Sequence, residues 1–146
     1  MGERDKRSDR PRVLVLGASG LSGGAIVAQL GERGGVEVVR GARDPRTVAN
    51  WKDEGKAAVL IDLDDPQSFP AALEGIDHLF LMTGYTIHMV HQMKTITDAA
   101  ADAGVSFIVH LGVFGNGRST DPHFALGTTW KRGYTSPMGM ARTRPS

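Results

Sequence analysis

The 146-residue chain has no cysteine. That absence excludes disulfides, thiolate catalysis and cysteine-based zinc sites. Long apolar runs are also missing, so no membrane-spanning helix is expected. The first ten residues, MGERDKRSDR, are charged and have no apolar stretch behind them. They do not form a secretory signal, and residues 1–11 are expected to be a mobile charged arm of a cytoplasmic protein. Acids are absent from the last twenty residues, Gly127 to Ser146, which hold Lys131, Arg132, Arg142 and Arg144. Taking that +4 from the total of +1 leaves −3 for the rest of the chain. The body is mildly acidic and lacks the basic footprint of a nucleic-acid-binding protein.

What the chain has is an alternation of short apolar runs and amphipathic segments. Strands are expected at Arg12 to Leu16, Val36 to Val39, Ala57 to Ile61, His78 to Met82 and Ser106 to Leu111. Between them, Leu21 to about Gly31 has a helical pattern whose inward side would be Leu21, Gly24, Ala25, Ala28 and Leu30. Asp44 is an N-cap followed by Pro45 at the first helical position, and Gly55 is the stop. Asp65 caps a short helix beginning at Pro66. Tyr85 to Ala103 is the longest helical segment, with Met89, Met93, Ile96, Ala100 and Ala103 on one side and Gly104 as its end.

Such an order predicts an α/β, doubly wound parallel sheet of the Rossmann type, with strand order 3-2-1-4-5. The domain is expected over residues 12–125. Residues 126–146, with no branched aliphatic beyond Leu126 and no regular period, are expected to be an irregular tail.

The densest signal lies between the first strand and the first helix. Gly17, Gly20 and Gly23 form G-x-x-G-x-x-G in VLVLGASGLSGGAIVAQL. Gly17 would turn the chain out of the strand, Gly20 would let backbone N–H groups approach a diphosphate, and Gly23 would let the helix pack closely. Ser19 and Ser22 could add hydroxyl bonds. A tight strand-to-helix turn alone would explain the same glycines, but the flanking strand and helix suit a nucleotide site. At the end of the second strand, where an NAD-preferring site usually carries an acid, the sequence reads VVRGARDP. Arg43 there points to NADP(H) in preference to NAD(H), because a guanidinium fork pairs with a 2′-phosphate. Asp44 is the contrary reading, as a ribose ligand. Asp62 and Thr83 close the third and fourth strands on the same edge.

His88 and His91 stand three apart, but no third ligand is placed to join them, so no metal site is expected and both are read as surface residues. Met82, Met89 and Met93 are read as core fillers, and Trp51 as packing the second helix on the sheet. His110 is read as a structural polar residue, and His123 as a loop residue that could face the nicotinamide.

Taken together, GASGLSGGAIVAQL, ARDP, IDLDDPQSFPAALEGID, LFLMT and AGVSFIVHLGVFG resemble the NmrA-like group of atypical short-chain dehydrogenases over about Val13 to Phe124. The resemblance implies a domain that binds NADP(H) more readily than NAD(H), with cofactor contacts at Gly17, Ser19, Gly20, Leu21, Arg43, Asp62, Leu63 and Thr83. It implies either an NADPH-dependent reductase of quinones or similar small electrophiles, or a redox-sensing regulator without turnover. Two departures bear on that choice. Gly112 stands in LGVFG where many relatives keep a hydroxyl, and the tyrosines Tyr85 and Tyr134 are followed four residues later by Met89 and Met138 rather than lysine. The acid–base machinery of ordinary short-chain dehydrogenases is therefore absent, and no catalytic residue is assigned. The family also continues beyond this point, which raises the expectation of a chain cut short, by a frameshift near Leu126, and of an inactive fragment. Reading the coding DNA in the other frames checks that expectation. A small-molecule substrate, and self-association or a protein partner, complete the expected partners.

Overall fold

The computed structural model describes residues 9–83 and 86–111. Five strands, β1 (Arg12–Val15), β2 (Glu37–Ala42), β3 (Ala58–Leu60), β4 (His78–Met82) and β5 (Phe107–Leu111), form one parallel sheet in the order β3-β2-β1-β4-β5. The helices are α1 (Leu21–Arg33), α2 (Pro45–Asp53), α3 (Phe69–Leu73) and α4 (Met89–Asp102), with a 3-10 turn at Pro66–Ser68 leading into α3. The fold is the doubly wound Rossmann type. Its order reverses at β1, which pairs with β2 on one side (Val13 with Val38) and β4 on the other (Val13 with His78).

Both faces of the sheet are covered, which is why its strands read as apolar runs rather than alternating ones. On one face Leu14, Leu16, Val39, Leu79, Leu81 and Ile108 pack with Phe69 and Leu73 of α3 and Met89, Met93 and Ile96 of α4. On the other, Val13, Val15 and Phe80 meet Ile26, Val27 and Leu30 of α1, with Trp51 of α2 and Met82 against the same cluster. The methionines and Trp51 thus pack as the sequence suggests, and His88 and His91 are exposed. Val109 and Leu111 of the edge strand β5 are 45% and 48% exposed.

The local signals act as chemistry dictates. Asp44 accepts from the Arg46 N–H at 3.1 Å and the Thr47 hydroxyl at 3.0 Å, capping α2 ahead of Pro45. Asp65 accepts from the Gln67 N–H at 3.2 Å and starts the 3-10 turn. Gly34 ends α1 with a φ of 67°, its N–H donating to the Leu30 carbonyl at 3.1 Å.

Two expectations need correction. The inward side of α1 is Gly23, Ile26, Val27 and Leu30; Leu21 is 95% exposed, and Ala25 and Ala28 are exposed as well. The bulky branched residues, not the alanines, fill the space over β1, and the helix is rotated accordingly. The long helix begins at Met89 rather than near Tyr85, with His88 at its N-cap and no side-chain capping bond. Thr86 to His88 form a turn in which the Met89 N–H donates to the Thr86 carbonyl at 3.2 Å, and Ala103 lies beyond the helix end. Tyr85, Gly112, His123, Tyr134 and the expected tail fall outside the described residues. Among the described residues, no helix is long and apolar enough to cross a membrane and no group of His, Asp and Glu could hold a metal.

Gly31 lies in the last turns of α1, is exposed, and would place a Cβ in open space. Gly31→Ala should therefore raise stability by about 0.5 kcal/mol, through helix propensity alone. Urea unfolding of the two proteins checks this, and a loss of stability would contradict the open environment.

Candidate functional site

The site begins where β1 ends. The Leu16 N–H donates to the Phe80 carbonyl on β4 at 3.1 Å, and two residues later the Ala18 N–H donates to the Gly41 carbonyl on β2 at 3.4 Å. The chain therefore leaves the sheet astride the gap between its two neighbours. Gly17, between these bonds, has a φ of 65°, and a side chain there would put its Cβ 2.7 Å from the Met82 Cε. The backbone calls for glycine here, whereas the Met82 methyl is the end of a flexible side chain and could shift.

Gly23 is under a harder constraint. A Cβ on it would stand 2.1 Å from the Gly17 carbonyl oxygen and 2.5 Å from the Gly17 carbonyl carbon. These are backbone atoms and cannot swing aside. The same carbonyl oxygen accepts the Gly20 N–H at 2.9 Å, closing the turn. Gly20 therefore spends its own N–H inside the loop. The first bond of α1 runs from the Gly24 N–H to the Gly20 carbonyl at 2.8 Å, so the N–H groups of Leu21, Ser22 and Gly23 precede the helical ladder. They lie at the positive end of the helix, where an anion is favoured.

Beside this loop lies a cleft of about 450 Å³ along the carboxyl edge of the sheet. Leu16, Gly17 and Ser19 line one part of it, the end of β2 and the start of α2 (Gly41 to Asp44, Thr47) another, and the segment after β3 (Ile61 to Asp64) a third; Met82, Thr86 and Gln92 complete it. Of the residues singled out in the sequence, Gly17, Ser19, Arg43, Asp62 and Leu63 come together here. Gly20, Leu21 and Gly23 shape the loop and the helix start but do not line the cleft, and half-buried Thr83 directly follows the lining residue Met82.

The polar groups around the cleft differ in how far they are already committed. Both carboxylate oxygens of Asp44 are used by its cap. One oxygen of Asp62, Oδ1, accepts the Asp64 N–H at 2.9 Å, and the Asp62 N–H donates to Ser68 Oγ at 3.0 Å. Arg43 is exposed and, among the described residues, pairs with no acid. The cleft thus offers a free guanidinium at the end of β2, where Asp44 is occupied. That arrangement suits an anion near β2 better than a hydroxyl pair seeking a carboxylate.

Sequence reasoning missed Gly41, Thr47, Asp64, Thr86 and Gln92 as lining residues. Gly41 was readable only from the fold: a Cβ there would meet Ile61, Leu16 and Leu14 side chains at 3.0, 3.1 and 3.2 Å. Gln92 carried a signal, since it is a polar residue inside the apolar stripe of α4 and is only 8% exposed.

Comparison with known proteins agrees with the fold. A family model described as NAD(P)H-binding matches residues 17–143. The NAD(P)H azoreductase of Xenophilus azovorans is 29% identical over 102 residues, covering 69% of this chain and 35% of that protein. The crystal structure of Citrobacter sp. triphenylmethane reductase complexed with NADP(H) superimposes with a TM-score of 0.71 at 22% identity, covering 84% of this chain and 44% of that one. The Escherichia coli NADPH-dependent quinone oxidoreductase complexed with NADPH gives a TM-score of 0.61 at 23% identity, covering 69% and 36%. The chain spans less than half the length of each of these relatives.

Proposed function

The chain belongs to the NAD(P)H-binding family, and from that premise we propose that its cleft takes NADP(H) in preference to NAD(H), for reduction of a quinone or a similar small electrophile. Residues 12–125 form the nucleotide-binding unit in this reading. The observation that carries the cofactor preference is Arg43, an uncommitted guanidinium on the cleft next to an Asp44 whose oxygens are both engaged.

The residues present fit such a group. The diphosphate would lie over the Gly17–Gly23 turn, against the N–H groups of Leu21, Ser22 and Gly23 and the Ser19 hydroxyl. A side chain at Gly23 would intrude on the Gly17 backbone, and one at Gly17 would strain a backbone with φ of 65°, so either would deform this cradle. Arg43 would hold the 2′-phosphate, Asp62 and Leu63 would border the base, and Thr83 the nicotinamide ribose. When bound, NADPH supplies a hydride; the protein's part is to orient it. The azoreductase, triphenylmethane reductase and quinone oxidoreductase among the relatives support a reductase of small conjugated electrophiles.

A second reading is favoured by a specific feature of the sequence. Neither tyrosine is followed four residues later by lysine, and Gly112 replaces the hydroxyl found in many NmrA-like proteins. A protein without that proton donor could bind NADP(H) and report its redox state to a partner without turning over. Fluorescence titration with NADPH and NADH, followed by addition of a quinone and measurement of absorbance, separates the two. Saturable binding with NADPH consumption is the expected result. Binding without consumption supports the sensor, and no saturable binding removes the cofactor reading altogether.

A further inference from the structure

We infer that Gln92 is a positioning residue that holds the base-side wall of the cleft in place through Asp64, a role that rests on the dinucleotide reading above. Gln92 sits on α4 among the buried Met89, Met93 and Ile96. A buried amide in apolar company requires partners. Its Nε2 donates to Asp64 Oδ1 at 2.6 Å, joining residues 28 apart in sequence. The acceptor is a carboxylate oxygen and the bond is short.

What this bond holds is the segment Asp62 to Asp65. That segment is tied to itself: the Asp64 N–H donates to Asp62 Oδ1 at 2.9 Å, and the Asp65 N–H to the Asp62 carbonyl at 2.9 Å. It is tied to the start of the next element by Ser68, whose hydroxyl donates to the Asp65 carbonyl at 2.7 Å. Among the described residues, the Gln92 amide makes the one hydrogen bond between this segment and α4. Asp62 and Leu63, which would border the base, move as part of the segment. The bond crosses the cleft lining itself, since Asp62, Leu63, Asp64 and Gln92 all line it. Gln92 therefore acts on the ligand through the loop, by fixing how far Asp62 and Leu63 stand from α4.

The polarity of the pair supplies the test. Gln92→Glu is isosteric but sets a second carboxylate against Asp64, and like charges at that separation repel. Adding Asp64→Asn restores a donor–acceptor pair with its direction reversed, the new amide on the loop donating to the new carboxylate on α4. Two readouts are taken on the full chain: the dissociation constant of adenosine 2′,5′-bisphosphate, and hydrogen exchange at the backbone amides of positions 64 and 65 without ligand. Gln92→Glu should weaken binding about tenfold and speed exchange at those amides. The double variant should recover both, which a generally destabilised helix would not do. Wild-type affinity and protection in Gln92→Glu, or a double variant no better than the single one, overturns the assignment. If the wild-type protein itself fails to bind adenosine 2′,5′-bisphosphate, the dinucleotide reading fails and the positioning role with it. The exchange data then distinguish that result from a tie that does not hold the loop.

Discussion

Gly23→Ala should lower the stability of the protein by about 3 kcal/mol, a single methyl acting at the upper end of overpacking costs. The new Cβ would stand 2.1 Å from the Gly17 carbonyl oxygen. In most overpacked sites a flexible side chain yields; here the neighbours are the Gly17 carbonyl and the Ala18 nitrogen, held by bonds from Leu16 to β4 and from Ala18 to β2. Relief requires α1 to lift from the sheet, which uncovers Ile26, Val27 and Leu30. The midpoint of thermal unfolding should fall by roughly 10 °C or more. NADPH affinity should fall at least about tenfold as well, because the backbone N–H groups at positions 21 to 23 move with the helix. Gly24→Ala is the matched control. Its Cβ would lie 3.6 Å from the Ala18 carbonyl, an ordinary contact, and the variant should unfold within about 0.5 kcal/mol of the parent. Equal behaviour of the two variants would mean that α1 does not approach the loop as closely as described.

The second large effect is on cofactor choice. Arg43→Ala should weaken NADPH binding by about tenfold or more, the scale of a charged hydrogen-bonding partner, and should change NADH binding little. Arg43 is exposed and has no acid partner among the described residues, so the variant should keep the parent's stability. That separates recognition from folding in one protein. Competition titrations with both dinucleotides measure it, and raising the salt concentration should shrink the NADPH advantage of the parent. A parallel loss for NADH and NADPH would reassign Arg43 from phosphate recognition to a general role in the cleft.

How far the sequence alone reaches can be judged from particular residues. Asp44-Pro45 and Asp65-Pro66 were legible because a cap is a local device: an acceptor, then a residue that needs no N–H bond. The strand order followed from the alternation of apolar runs and helices, together with a right-handed rule that holds for nearly all such connections. The phase of α1 was not legible. Its sequence, LSGGAIVAQLGER, offers small residues on every side, and what fixes the phase is the contact of Gly23 with the Gly17 carbonyl, a property of the assembled loop. The start of α4 was missed for a related reason. His88 makes no side-chain cap, so nothing local marks the boundary. Among the cleft-lining residues, Arg43 and Asp62 were readable from their places just past strand ends, and Leu63 from the family resemblance alone. Gln92 stood out as a polar residue in an apolar stripe, but its pairing with Asp64 was not legible, because it joins two crossovers and exists only once both are docked.

The split departure of the chain from β1 has a consequence for how the protein acquires its site. One side of the Gly17 turn is anchored to β2 and the other to β4, and β1 itself begins with the Arg12 N–H bonded to Asp77, 65 residues away. A peptide carrying β1, the turn and α1 would lack all three of these partners, so the nucleotide cradle cannot mature as a local hairpin-like unit. It is complete only once contacts between residues distant in sequence have closed. Any ligand that fits the cradle therefore binds the completed sheet and not its precursors. Its binding free energy is drawn in full into the global unfolding equilibrium, as RT ln(1 + [L]/Kd). For this domain, occupancy by dinucleotide and survival of the fold are linked variables, and cells rich in the ligand would hold more of the folded chain than cells poor in it.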